Sequence, residues 1–235
     1  MMDQMETIRI EIEGSDPVTG LLMNPHDARA CFVFAHGAGA GMAHPFMEAV
    51  ATGLFERRIA TVRYQFPYME KGFKRPDAPA TAQATVRAAA AEAARRCPGL
   101  PLVAGGKSFG GRMTSQAQAA APLAGVRGLA FLGFPLHPAG KPSEQRATHL
   151  YDIRIPMLFM QGTRDNLAQL PLMEHLTQAL GTRASLKLFE HADHSFHVSV
   201  RSGRNDRDVM REVLDVLAAW IAAPGPWMMI KARPG

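Results

Sequence analysis

"AGGKSFGG", residues Ala104–Gly111, admits two incompatible chemistries. Its Gly-Lys-Ser looks like the end of a phosphate-binding loop, in which backbone N–H groups and a lysine hold a nucleotide's phosphates. Gly106-Lys107-Ser108-Phe109-Gly110 also spells Gly-x-Ser-x-Gly, a sharp strand-to-helix turn that presents a nucleophilic serine. Spacing separates the two. A loop of the form Gly-x-x-x-x-Gly-Lys-Ser needs a glycine at position 101, which is proline here. Proline has no N–H to donate and a fixed φ, so the first element of that cradle is missing. The flanks suit the serine turn, with "PLVAGG" reading as a buried strand and "RMTSQAQAA" as a helix. Gly106 and Gly110, two places before and after Ser108, let strand and helix approach closely.

Working outward, strand-like and helix-like segments alternate. "TIRIEIEG" and "VTGLLMNP" form an expected antiparallel pair, with Gly14, Asp16 and Pro17 supplying the turn. "CFVFAHG", "IATVRYQFP", "PLVAGG", "GLAFLGFPL", "IPMLFMQG" and "LKLFE" are short apolar runs bounded mostly by Gly or Pro, as expected for strands buried on both faces of a parallel sheet. Helices are expected between them: His44–Arg58 puts Phe46, Val50 and Leu54 on one face, and Asp206–Ala222 does the same with Val209, Val213, Leu217 and Trp220. Ala-rich "TAQATVRAAAAEAARR" reads as a surface helix. The expected fold class is α/β, a mainly parallel sheet flanked by helices. Residues 1–235 read as one domain with an apolar tail at 224–235.

A serine hydroxyl is a weak nucleophile unless a histidine takes its proton, and that histidine needs a carboxylate to fix its tautomer. On a strand-turn-helix scaffold the partners should follow at later strand ends in the order Ser, Asp, His. "IPMLFMQG" runs into "TRD", which puts Asp165 just past its carboxyl end; "LKLFE" runs into "HADHSFH", which puts His194 in the next loop. Asp193, adjacent to His194, is a poorer partner because neighbours on one loop rarely aim their side chains at each other. Two backbone N–H groups should accept the developing oxyanion, at about 3 kcal/mol each. One is Phe109, after the nucleophile; the other comes from "AHGAGAGMAHP", with Ala38 preferred and Gly39 the alternative. A dinucleotide fingerprint in that loop fails at position 42, which is Met. His191, His194 and His197 recur every third residue, but no carboxylate–cysteine set accompanies them, so no metal is expected; His194 is the preferred base, with His191 and His197 as second choices.

Composition narrows the classes further. The chain is 47% hydrophobic and 20% charged over 235 residues, enough for a sizeable core. A net charge of +5 could suggest nucleic acid, but the arginines are scattered and interrupted by acidic residues, and no nucleic-acid motif accompanies them. No run of about 18 apolar residues is present, so no membrane span is expected. Cys31 and Cys97 do not make a disulfide framework, and a cytoplasmic location is the expectation. The segment "FPYMEKGFKRPDAP" mixes Phe66, Tyr68 and Phe73 with Lys71, Lys74 and Arg75 and is expected at the rim of the site, where it would favour an anionic substrate.

Together "AHGAGAG", "GGKSFGGRM", "QGTRD" and "ADHSF" resemble the α/β-hydrolase superfamily, and within it the dienelactone-hydrolase-like branch, in particular the small bacterial hydrolases similar to the KANL3/Tex30 group. The resemblance implies a triad of Ser108, Asp165 and His194 on an α/β-hydrolase fold. Many relatives insert a cap domain between the strands "GLAFLGFPL" and "IPMLFMQG", but the short segment here leaves no room for one. Dienelactone hydrolases use cysteine as nucleophile, whereas this chain has serine, so their ring-opening reaction does not carry over. The expected function is that of a serine hydrolase, cofactor-free cleavage of an ester, thioester or related acyl bond in a small acyl substrate, by a monomer or homodimer. The reading of another class is an interaction module that keeps the turn without turning over substrate.

Overall fold

The computed structural model describes residues 5–223; the tail expected at 224–235 lies outside them. Among the described residues eight strands form one sheet: β1 (Met5–Ile12), β2 (Ser15–Met23), β3 (Ala30–Ala35), β4 (Ile59–Tyr64), β5 (Leu102–Lys107), β6 (Val126–Leu132), β7 (Met157–Gly162) and β8 (Ala184–Phe189). Their order is β1-β2-β4-β3-β5-β6-β7-β8. β1 pairs antiparallel with β2, as does β2 with β4, and every later pair is parallel. The α-helices among the described residues are α1 (Pro45–Glu56), α2 (Pro67–Glu70), α3 (Pro79–Arg96), α4 (Phe109–Ala120), α5 (Leu170–Leu180) and α6 (Asp206–Ala222).

The central strands lack an alternating polar pattern because both faces of the sheet are covered. Cys31, Val33 and Ala35 of β3 face the core made with α3, α4 and α5, while Ala30, Phe32 and Phe34 face the core made with α1 and α6. Leu129 and Phe131 against Ala130 and Leu132 repeat the division in β6. α1 begins where Pro45 takes the first helical position and His44 Nδ1 accepts from the Phe46 N–H. The Ala-rich segment is α3, whose Ala82, Val86, Ala89 and Ala93 are buried and whose smooth face lets it lie close to the sheet.

Between β6 and β7 the chain forms only a 3-10 helix, Gln145–Asp152, in place of a cap. The strand order places the site. After β3 the chain adds β4 on one side and then crosses to add β5 on the other. Connections leaving β3 and β5 therefore diverge to opposite faces and open a crevice at their carboxyl ends, the place where such sheets hold ligands.

Candidate active site

Ser108 follows β5 directly and caps α4 with φ 50° and ψ −115°, in the left-handed half of backbone space that a side chain rarely adopts. The turn needs its glycines. A Cβ on Gly110 would stand 2.5 Å from both Ala35 O and His36 O, and one on Gly106 would stand 2.6 Å from Ala35 O. The first turn of α4 thus presses on the exit of β3.

His194 lies in the loop after β8, and its Nε2 is 2.8 Å from Ser108 Oγ. Its Nδ1 is 2.7 Å from Asp165 Oδ2, whose side chain is fully buried just past β7. With Nδ1–H donated to the carboxylate, Nε2 is left as the acceptor for the serine proton. Asp165 is held from two sides: Gln161 Nε2 donates to Oδ2 and the Leu167 N–H to Oδ1 at 2.8 Å. Gln161 is itself fixed by the Phe134 N–H, which donates to its Oε1 at 3.0 Å. Gln169 occupies the N-cap position of α5, so Asp165 is not held there as a helix cap.

The structure brings Ser108, Asp165 and His194 together and leaves Asp193 outside. Asp193 Oδ1 accepts from the N–H groups of Ser195 (2.7 Å) and His197 (3.0 Å), an Asx turn that shapes the loop. The three histidines take different partners: His197 Nδ1 lies 2.8 Å from Asp206 and His191 Nδ1 lies 3.5 Å from Glu190. Among the described residues no group of three metal-ligating side chains converges.

The loop after β3 reaches the serine at Gly37, where a Cβ would stand 3.9 Å from Ser108 Cβ. The Gly39 N–H donates to Tyr68 Oη at 3.0 Å, which engages the alternative donor and favours Ala38. His36 anchors this loop: its Nδ1 is 2.7 Å from Gly37 O, and its Nε2 accepts from the Phe66 N–H at 3.1 Å. Burial pushes its pKa down to about 4, against a smaller upward pull from Gly37 O, so the ring is neutral.

A cleft of about 420 Å³ opens over Ser108, walled by Ala38, Ala40, Phe46, Met47 and Leu167, with Lys107 and His194 beside the serine. A larger groove of about 820 Å³, among Met5, Leu22, Asp27 and Phe55, contains no part of this Ser–His–Asp arrangement. The segment expected at the rim does not line the cleft. Phe66 and Tyr68 are buried under the loop after β3, Phe66 packing edge-on against His36 and Phe109, and Lys71 pairs with Asp16 at 2.9 Å. Phe66 and Tyr68 are drawn inward by the apolar space beneath Gly37–Gly39, whereas Phe73 stays exposed, and none of Lys71, Lys74 and Arg75 lines the cleft.

Sequence reasoning missed three contributors. Lys107 has its ammonium beside Phe46 and Phe196 and donates to His194 O at 2.5 Å. His36 and Gln161 are polar residues closing the apolar runs "CFVFAH" and "MLFMQ", a signal that marks strand ends carrying hydrogen-bonding work.

The sequence profile described as alpha/beta hydrolase domain matches residues 28–222. The chain belongs to the α/β-hydrolase family. Solved structures share the fold: a dienelactone hydrolase from Anabaena variabilis is 20% identical, with a TM-score of 0.74 over 92% of this chain and 96% of that one. A serine hydrolase without a lid from Xanthomonas campestris is 20% identical, with a TM-score of 0.71 over 98% and 97%. The esterase domain of a Rhodothermus marinus protein is 19% identical, with a TM-score of 0.70 over 93% and 98%. At these identities the likeness is one of fold.

Proposed function

We propose that this α/β-hydrolase is a serine hydrolase that cleaves an ester or thioester through an acyl-enzyme on Ser108. The observation that carries the reading is the continuous chain of contacts from Ser108 Oγ to His194 Nε2 and from His194 Nδ1 to Asp165, at 2.8 and 2.7 Å. Ser108 Oγ attacks the acyl carbonyl while Nε2 takes its proton, and Asp165 supports the imidazolium that forms. The oxyanion accepts hydrogen bonds from the N–H groups of Phe109 and Ala38. Collapse breaks the bond to the alcohol or thiol, which leaves with the proton from His194. Water, deprotonated by the same nitrogen, then releases the acid and restores Ser108. Every step uses side chains and backbone of this chain, and the cleft walls suit a small, largely apolar acyl group.

The test uses a fluorophosphonate probe and a p-nitrophenyl ester. Wild-type protein should be labelled at Ser108 and should turn over the ester. Ser108→Ala should take no label and lose up to about a millionfold in kcat. An unlabelled wild type without turnover, or a Ser108→Ala variant as active as wild type, refutes the assignment.

A further inference from the structure

We propose that Lys107 is a positioning residue: by donating to the carbonyl of His194 it fastens the loop carrying the proposed base to the strand carrying the proposed nucleophile. The inference rests on the assignment of Ser108 and His194 above and adds a part that a Ser–His–Asp arrangement does not require. Lys107 is the last residue of β5, so its backbone is fixed by pairing with Leu132 of β6. Its side chain crosses to the loop after β8, where Nζ lies 2.5 Å from His194 O.

Several features fit this crossing. Nζ sits 5.8 Å from the Phe46 ring centroid and 5.7 Å from that of Phe196, an aromatic pair placed to hold a cation. Gly133, at the exit of β6 with φ 68°, leaves the necessary space: a Cβ there would stand 2.9 Å from Nζ and 3.4 Å from His194 Cε1. The remaining bonds of the loop run elsewhere. Asp193 Oδ1 serves Ser195 and His197 within it, while the His191 N–H donates to Thr163 Oγ1 and the Arg164 N–H to Ala192 O, tying it to the exit of β7. The lysine bond alone of these runs to the nucleophile's own strand, and it acts on the backbone of the base, leaving both ring nitrogens to Ser108 and Asp165.

The environment also makes the brace titrate near neutrality. Burial lowers the Lys107 pKa to about 8, opposed by the carboxylates of Asp165 past β7 and Asp193 in the loop after β8. His194 on that loop and His44 at the start of α1 line the same cleft, while Phe46 and Gly133 bring no charge. Above that pH the neutral amine holds the carbonyl less strongly, because a charge-assisted hydrogen bond is replaced by an ordinary one.

Lys107→Met keeps the stem and removes the donor. Wild type and variant are compared in kcat and KM on a neutral and a carboxylate-bearing p-nitrophenyl ester from pH 6 to 10, and in amide hydrogen exchange over residues 190–199. The brace predicts a fall in kcat of about tenfold to a hundredfold on both esters with KM little changed, the loss expected when a reacting group is slightly misplaced. It also predicts faster exchange across 190–199, and an alkaline decline of kcat near pH 8 in wild type that the variant lacks. Unchanged kcat and exchange overturn it. So does a rise in KM confined to the carboxylate-bearing ester, which would make Lys107 a substrate contact. If wild type neither hydrolyses esters nor takes the fluorophosphonate, the hydrolase assignment falls, while the exchange comparison still decides whether Lys107 holds the loop.

Discussion

His36 ties the loop after β3 to β4's exit only while it is neutral, so acid should attack the site and the fold at the same point. The ring is fully buried, with Nδ1–H donated to Gly37 O and Nε2 accepting from Phe66. Protonation would put a second N–H at Nε2, facing the Phe66 donor. The folded pKa of about 4 lies below the ordinary 6.5. Between those values the unfolded chain binds a proton that the native state refuses, so stability present above about pH 6.5 is lost as pH falls through about 4. At about 1.4 kcal/mol per pKa unit the full loss is about 3 kcal/mol, a large share of the 5–15 kcal/mol typical of a domain.

Other acidic and histidine groups titrate in the same range, so the contribution must be read as a difference. Urea unfolding of wild type and His36→Gln at pH 7, 6, 5 and 4 should show the stability gap between them narrowing by about 3 kcal/mol, mostly below pH 6. The imidazole resonances of His36 should titrate near pH 4 with the proton on Nδ1 above it. A gap that does not change with pH, or a His36 titration near 6.5, would refute the argument and leave the ring as a spacer.

The remaining expectations concern the acid and the turn. Asp165→Asn should cost about a thousandfold or more in kcat, because the amide would present the wrong tautomer to His194. Asp193→Asn should cost little, since an asparagine amide oxygen can still accept from Ser195 and His197; steady-state rates showing the reverse order would transfer the role. Gly110→Ala should destabilise by about 3 kcal/mol in urea melts, because its Cβ would meet two backbone carbonyls at 2.5 Å that cannot move without shifting β3. A neutral result would mean that α4 slides at no cost.

The fold was legible because buried parallel strands leave a distinct trace, short apolar runs closed mostly by Gly or Pro, and because most runs here are joined to the next by a segment with helical periodicity, the β6–β7 connection excepted. α6 falls on Asp206–Ala222, the span its periodicity marks, since Asn205 accepts from the Asp208 N–H at its start. The positions of Ser108, Asp165 and His194 were legible for a topological reason: all three follow carboxyl ends of strands, which a parallel sheet gathers along one edge. The rim was not legible. Whether Phe66, Tyr68 and Lys71 face the cleft depends on how the chain leaves β4, and it turns under the loop after β3, burying Phe66 and Tyr68 and leaving Lys71 to Asp16. Lys107 was not legible for a related reason: its partner is a backbone carbonyl, and a carbonyl has no signature in sequence.

That lysine also explains why Gly-Lys-Ser so readily suggests a phosphate loop and why this one cannot serve as one. A phosphate cradle needs successive N–H groups pointing into a common space, and a lysine free to follow them. Here the Ser108 N–H donates to Leu132 O at 3.2 Å, extending the sheet to the serine itself, and the ammonium of Lys107 is spent on His194 O. Pro101 removes the first donor. The glycines that would have wrapped an anion instead bring α4 against Ala35 and His36, so the same residue types that could hold a phosphate here hold a serine at positive φ beside a histidine.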